Sequence, residues 1–364
     1  MSEKDLTVIS RIESEIEKID NRESNIYFFV IDTKGNPSGS LEYIYKLAYL
    51  LKESGFNVSM LYQEAEEFVG VGDWLDEKYS SLPHYNIEGD DVAVSASDVL
   101  FIPEIFSNIM MQTKKLPCKR VAIMQNFDFV LEQMPISSQW GDLGIMESIC
   151  NTEINAELIK SIFPYVKTTV IDPYVDSKFG TTDAPKNLII NIVAKDQRDV
   201  NRIIKPFYWK YPMFKWVSFR DLRGFPQDMY AQLLREGAIT VWSDTETNFG
   251  YSALEAMKSG SLVLAKVTEN TQKWMTEGDT LSNCCVWFDS FSELHKMLAS
   301  VVRAWITDQV PNEIAEASKK QTEMYSVEQT KEQITNYVTN VLENRKSEML
   351  SLITHINKNG GENE

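Results

Sequence analysis

The stretch "SDTETNFGYSALEAMKSGSLVLA", Ser243 to Ala265, decides how this chain is read. It begins at the end of one apolar run, "AITVWS", and closes on another, "SLVLAK", and both have the β-branched and aromatic content of buried strands. Between them a polar crossing reaches Phe249-Gly250, and a helix-forming segment starts near Tyr251 and stops before Gly260. Strand, glycine-containing loop, helix, strand is the repeating unit of parallel sheets. In such sheets ligands bind at the carboxyl ends of the strands, where loops lead into helix N-termini. Gly250 lets the backbone approach a ligand, and Glu255 lies about one turn into the helix, near the positive end of its dipole. A carboxylate there stays ionised and can accept hydrogen bonds from ligand hydroxyls. The plainer reading is a first-turn charge on a solvated face.

The same alternation extends in both directions. Around the opening stretch, "NLIINIVA", "FKWVSF" and "CVWFDS" are further strand candidates, with helices expected at "PQDMYAQLLREG" and "FSELHKMLASVVRAW". Upstream, "NIYFFVID" leads through the polar loop "TKGNPSGS" into a helical pattern ending near Gly55, then into a second strand; "DVLFIPE" and "KRVAIMQN" follow as two more. The small-polar "GTTDAPKN" suits an interdomain linker. The expected fold class is therefore α/β, with two doubly wound domains at residues 25–178 and 186–310. Residues 1–24 are read as an amphipathic helix, 311–357 as charged helices and 358–364 as a disordered tail. In the first helix Ile9, Ile12, Ile16 and Ile19 recur at spacings of three, four and three, a narrow stripe that packs on its own domain or forms a seam for self-association.

Composition sets the outer bounds. A chain of 364 residues exceeds what one core supports, roughly 250 to 300 residues, so two domains are expected. With 43% hydrophobic and 24% charged residues the chain reads as soluble and globular, and no apolar run approaches the roughly 20 residues of a membrane span. The charged opening lacks the apolar core of a secretory signal, which makes the cytoplasm the default location. A formal net charge of −17 disfavours non-specific binding to nucleic acid or anionic membrane, leaving any anionic ligand to local Lys and Arg residues. Cys118, Cys150, Cys284 and Cys285 lack metal-type spacing, and adjacent Cys284-Cys285 read as buried strand residues. With only His84, His295 and His355 beside them, no zinc site is expected.

The opening stretch resembles the signature of retaining GT-B glycosyltransferases of glycosyltransferase family 4, whose usual form is a serine, a Glu, Gly-Phe-Gly, Leu-Glu-Ala-Met and Gly-x-Pro-Val. The segment "SGSLEYIYKLAYLLKESGFNVSML" is similar to the family's Gly-Gly loop with its following helix and strand, and "ICNTEINAELIKSIFPYVKTTVIDPYVDSKF" to its interdomain passage. The likeness spans roughly residues 26 to 305. It implies the GT-B arrangement of two Rossmann-like domains facing across a cleft, a nucleotide sugar as donor substrate, no tightly bound cofactor and no required metal.

Roles follow from the resemblance residue by residue. Glu255 matches the glutamate that binds the donor ribose hydroxyls. Gly250, with Thr247, Asn248, Phe249, Tyr251 and Ser252 around it, matches the segment that contacts donor phosphate and sugar. Ser38 and Gly39 match the loop that faces the diphosphate. Lys195 takes the position of the family's Arg, and Arg198 or Arg202 would supply the second cation against the leaving group. The family's first motif glutamate is replaced by Thr247, with Glu246 shifted by one as the catalytic candidate in its place. The usual histidine is absent, and Gln125, Asn126 and Asp128 occupy the acceptor-side loop. The resemblance implies sugar transfer with retention to an unidentified acceptor, a glycan, lipid-linked sugar, protein or modified base. Two rival readings keep the fold: a non-catalytic GT-B partner of an active transferase, and a transferase acting on modified DNA bases, against which the acidic balance argues.

Overall fold

The computed structural model describes residues 3–63, 68–70, 74–244, 249–267, 273–277 and 280–361. The chain divides into two compact units: residues 1–72, 77–172 and 330–364 form one, and 73–76 with 173–329 form the other.

In the first unit, helix α1 (Glu3–Asp20) precedes β1 (Asn25–Phe29), α2 (Gly39–Glu53), β2 (Asn57–Tyr62) and β3 (His84–Asn86). Then come β4 (Val99–Pro103), α3 (Ser107–Gln112), β5 (Lys119–Met124), α4 (Phe127–Gln133), β6 (Glu147–Cys150), α5 (Glu153–Ile162) and β7 (Lys167–Val170). The seven strands form one sheet in the order β3-β2-β1-β4-β5-β6-β7, every adjacent pair parallel. All five residues of β4 are buried, as a strand covered on both faces requires. From β1 the chain moves outward to β2, whereas from β4 it moves the other way to β5, so the winding reverses between β1 and β4. That reversal opens a crevice at their carboxyl ends.

The second unit repeats the scheme with β8 (Asn187–Val193), α6 (Gln197–Lys210), β9 (Ser218–Asp221), α7 (Gln227–Glu236), β10 (Gly237–Trp242), α8 (Tyr251–Lys258) and β11 (Leu262–Lys266). A short antiparallel pair, β12 (Thr276–Glu277) and β13 (Thr280–Leu281), precedes β14 (Val286–Phe288), α9 (Phe291–Ile306) and α10 (Asn312–Glu323). The main sheet runs β14-β11-β10-β8-β9, again all parallel. Alternate residues of β10 feed two cores: Ile239 and Val241 join Ile203 and Leu298 on one face, while Trp242 joins Leu254 and Leu234 on the other. Here the winding reverses between β8 and β10. Val193 pairs with Trp242 in register and the Ser243 N–H donates to the Val193 carbonyl at 3.0 Å, so the loops after these strands leave side by side.

Helix α11 (Val327–Gly361) returns to the first unit. Ile334, Val338, Val341 and Leu342 are buried, Gln333 hydrogen-bonds both the Asp172 N–H and its carboxylate at 2.8 Å, and the Arg345 guanidinium donates to the carbonyls of Ala96 and Pro117. The apolar stripe of α1 also packs within this unit: Ile9 and Ile19 are buried, and Glu15 accepts the N–H and hydroxyl of Ser97.

Several expectations shift. Cys284 and Cys285 are buried in the turn ahead of β14 rather than in the strand, and β9 starts at Ser218 because Pro212 opens a 3₁₀ turn across Phe214. The division between units falls before Pro173, ahead of the polar stretch 180–187, since Val175 and Phe179 already belong to the second unit's core. Helix α11 continues to Gly361, past the start of the expected disordered tail at 358.

Ile334 and Val338 have no exposed surface. Ile334→Ala is expected to remove about 2–4 kcal/mol from the first unit. Calorimetry should show the transition of that unit falling while the other stays in place; a shift of the second unit's transition alone would contradict the assignment of α11.

Candidate functional site

Each unit gathers polar groups at its winding reversal. In the second unit, Gly250 turns the chain from β10 into α8 with φ +80°, a left-handed conformation, and a Cβ there would stand 2.8 Å from the Trp274 ring and 3.3 Å from those of Trp242 and the Met275 methyl. The Trp274 indole N–H donates to the Phe249 carbonyl at 2.7 Å, clamping the turn. Phe249 itself is buried against Tyr251 and Tyr325, with ring centroids 4.9 and 5.2 Å away, so its side chain belongs to the core. Because the N-cap is glycine, the capping position itself supplies no side chain to the start of α8. Glu255 is 5% exposed, which removes the solvated-face reading of this carboxylate. Ser252 is half-buried in the first turn. Glu246, Thr247 and Asn248 lie outside the described residues.

Beside this turn is the loop from β8 into α6. Asp196 caps the helix, accepting the N–H groups of Arg198 at 2.6 Å and Asp199 at 3.1 Å. The Arg198 guanidinium folds back onto the same carboxylate, Nε at 3.0 Å and Nη2 at 2.7 Å. That pairing holds Asp196 below the ordinary carboxylate range, with the Arg198 hydrogen bond as the main cause, and raises Arg198. Arg202 pairs with Asp199 at 3.0 Å. Lys195 is exposed at the head of the loop.

A further cation escaped the sequence reading. Arg223, in the loop after β9, forks onto Asp221 and donates to the Gln197 side chain at 2.5 Å, tying its loop to the start of α6. The only signal in the sequence was position: Arg223 follows a strand end, as ligand-facing residues of open sheets do. Lys195, Arg198 and Arg223 thus stand along the carboxyl edge of β8 and β9.

In the first unit, Ser38 caps α2 by accepting the Leu41 N–H at 3.3 Å, and a Cβ built on Gly39 meets nothing within 4 Å. Space, not strain, surrounds this glycine. Nearby Asp32 accepts the N–H groups of Lys34 and Val69 at 2.9 Å and the Lys34 ammonium at 3.0 Å. Burial pushes this carboxyl up, but the Val69 N–H and Lys34 outweigh it and hold the group below its usual range.

At the end of β4 stands Glu104, which the sequence reading passed over as the last letter of an apolar run. Its Oε1 accepts the backbone N–H groups of Gln125 at 3.0 Å and Asn126 at 2.7 Å, so this carboxyl shapes the loop from β5 into α4. Its Oε2 is buried without a hydrogen-bond partner. Burial raises it to about 7, more than the two N–H groups lower it. The Tyr43 phenol and Cys150 thiol, the other titratable groups coupled to it, are themselves pushed up by burial and stay neutral near pH 7. Asn126 caps α4 through the Asp128 N–H at 3.0 Å, and the Gln125 carbonyl accepts the Asn155 amide at 2.8 Å. Of the acceptor-side candidates Gln125 is buried, Asn126 is half-buried and Asp128 is exposed.

Among the described residues no group of three or more His, Cys, Asp or Glu side chains is poised for a metal ion, and no helix is long and apolar enough to cross a membrane. A depression of about 910 Å³ opens at the amino ends of the first unit's strands, bordered by Glu15, Asp98 and Arg345, on the opposite edge of that sheet from its winding reversal.

No family model matches the chain. It is 22% identical over 285 residues to an alpha-1,6-glucosyltransferase of Actinobacillus pleuropneumoniae serotype 7 (strain AP76), covering 71% of this chain and 81% of that protein. Among solved structures it is similar to the pneumococcal O-GlcNAc transferase GtfA in complex with UDP and GlcNAc (TM-score 0.61, 9% identity, 88% of this chain and 99% of that one). It is also similar to Anabaena Alr3699/HepE in complex with UDP and glucose (TM-score 0.60, 14% identity, 87% and 99%) and to sucrose-phosphate synthase from Thermosynechococcus elongatus (TM-score 0.59, 10% identity, 88% and 99%). The fold is the GT-B fold of glycosyltransferases.

Two predictions follow from the geometry. Gly250→Ala is expected to cost about 2 kcal/mol or more, from the left-handed backbone and the Trp274 contact, whereas Gly39→Ala leaves the melting temperature within a degree or so. Equal losses in thermal melts would contradict the distinction. For Glu104 the folded-state value lies above the unfolded one, so its contribution is full below pH 4.5 and is lost as pH rises to about 7. Wild type should therefore lose roughly 3 kcal/mol relative to Glu104→Gln across that interval. A pH-independent difference between the two in denaturant titrations would show that Glu104 titrates normally.

Proposed function

We propose that the protein is a glycosyltransferase that moves a sugar from a UDP-sugar donor to an acceptor with retention of anomeric configuration. The observation that carries this reading is the site at the β8/β10 reversal: a helix start behind a glycine N-cap, a buried Glu255 one turn inside it, and three cations on the adjoining strand ends. The UDP present in the structures similar to this fold, and the activity of the glucosyltransferase relative, support it.

In this reading Glu255 accepts the ribose hydroxyls, and the first-turn N–H groups of α8 meet the donor phosphates where Gly250 has no side chain to obstruct them. As the bond from the sugar C1 to the diphosphate stretches, the sugar gains oxocarbenium character and negative charge collects on the leaving oxygen. Stabilising that charge is the main catalytic demand. Lys195, Arg198 and Arg223 supply it, Arg198 and Arg223 by exchanging part of their hold on Asp196 and Asp221 for phosphate oxygens. The loops carrying Ser38 and Gly39, and those shaped by Glu104 around Gln125, Asn126 and Asp128, serve the diphosphate and acceptor sides. Glu246 is the remaining catalytic candidate.

The pairing of Arg198 with Asp196 and of Arg202 with Asp199 favours a second reading, a GT-B protein that binds a partner transferase and no donor. Calorimetric titration separates the two. UDP-glucose and UDP-GlcNAc are offered to wild type and to Glu255→Ala, and the variant is expected to bind at least 10-fold more weakly, the loss of hydrogen bonds to a charged acceptor. Absence of binding by wild type to either donor would favour the partner reading. Where a donor binds and an acceptor is found, the anomeric configuration of the product by NMR tests retention.

A further inference from the structure

Helix α6 ends in Tyr208-Trp209-Lys210 and passes through Tyr211 into the 3₁₀ turn Pro212–Phe214, followed by Lys215 and Trp216. The inner aromatics anchor this segment: Phe207 and Phe214 are buried with centroids 6.0 Å apart, and Phe219 closes on Phe207 edge-on at 5.4 Å. The outer residues have no such cover. Trp209 is 76% exposed, Met213 59% and Trp216 60%. Exposure this high means that the three side chains stand out from the surface rather than line a recess. Scattered single apolar residues are ordinary on a surface, but two tryptophans and a methionine within eight residues on a rigid turn are a patch.

Its charge is as unusual as its polarity. Between Asp199 and Asp221 the chain carries Arg202, Lys205, Lys210, Lys215 and Arg220 and no carboxylate, in a molecule of net charge −17. Arg202 and Arg220 are taken up by Asp199 and Glu236. Lys205, Lys210 and Lys215 are exposed and, among the described residues, take part in no ion pair. The Lys210 ammonium lies 5.5 Å from the Tyr211 ring centroid.

We propose that this helix end is an interfacial membrane contact, with Trp209, Met213 and Trp216 entering the headgroup region of an anionic phospholipid bilayer and the three lysines engaging lipid phosphates. Indole rings settle at the water–lipid boundary, where the apolar ring is buried and the N–H stays wet, and lysines reach from the same depth to the phosphates. A symmetric contact between two copies would set lysine against lysine, which the charge of the patch opposes. The −17 of the whole molecule opposes the bilayer at long range, so the association is confined to this patch and is reversible. This inference is independent of the sugar-transfer reading.

Co-sedimentation with vesicles tests it. Wild type is expected to partition onto vesicles of phosphatidylcholine with about one-third phosphatidylglycerol at low salt, where the surface potential is least screened, and not onto phosphatidylcholine alone. Trp209→Ser with Trp216→Ser should lower the partition coefficient at least 10-fold. So should Lys210→Glu with Lys215→Glu, since each basic residue near such a surface contributes about 5-fold. These side chains are exposed, so both variants should melt with wild type. No binding of wild type to anionic vesicles would overturn the proposal, as would equal binding by the two variants. A wild-type dimer in light scattering that Trp209→Ser with Trp216→Ser dissociates, without vesicle binding, would assign the patch to self-association instead.

Discussion

The turn at Gly250 has no room for a side chain. Its backbone is left-handed and its missing Cβ would meet Trp274, Trp242 and Met275, while the Trp274 indole holds the preceding carbonyl. That one constraint fixes where α8 begins, gives the helix an N-cap without a side chain and fixes how far into the helix Glu255 lies. The neighbouring loop is brought alongside by a second constraint, the pairing of β10 with β8 that sets Trp242 opposite Val193. Both are consequences of a parallel sheet whose winding reverses at that point, and in such sheets the reversal opens space at the strand ends.

Charge around this space is arranged in preformed pairs. Asp196 serves at once as the cap of α6 and as the resting partner of Arg198, and Asp221, at the end of β9, is the resting partner of Arg223. These pairs are exposed enough for water to screen them, so either arginine can turn to an incoming phosphate at small cost. In a protein of net charge −17 any anion has to be met by such local cations, and the same logic sets apart Lys205, Lys210 and Lys215 beside Trp209 and Trp216, which take part in no ion pair among the described residues. In the first unit the corresponding reversal holds a different kind of group: Glu104, buried and half-satisfied, whose one bonded oxygen shapes the loop of Gln125 and Asn126. Burying that carboxyl costs stability above neutral pH, and the loop it shapes is the one from which the proposed reading draws its acceptor contacts.

Long apolar strands such as β1, β4, β8 and β10 were legible because burial on both faces leaves an unbroken hydrophobic run, and α8 was legible from glycine-bounded helical residues. Strand β6 was not, since "ESIC" is four residues long and opens with groups whose polarity is satisfied by Tyr337 and Lys119 from elsewhere in the unit. The return of α11 to the first unit was equally hidden, because intermittent apolar positions show that a helix packs and not on what. At the sites, residue types were readable but their commitments were not. Nothing in "VAKDQRD" shows that Arg198 folds onto Asp196, and nothing in "FIPE" distinguishes a buried carboxyl from a surface one. The two glycines differ for the same reason: only the packed structure shows that Gly250 is forced while Gly39 is merely open.

The central proposal is that a donor nucleotide docks on the start of α8 and the adjoining start of α6. Amide hydrogen exchange with and without saturating UDP-glucose tests it most directly. Slowed exchange confined in the second unit to residues 249–258 and 193–200 is the expected result. Binding of the ligand with unchanged exchange in both segments would contradict the account.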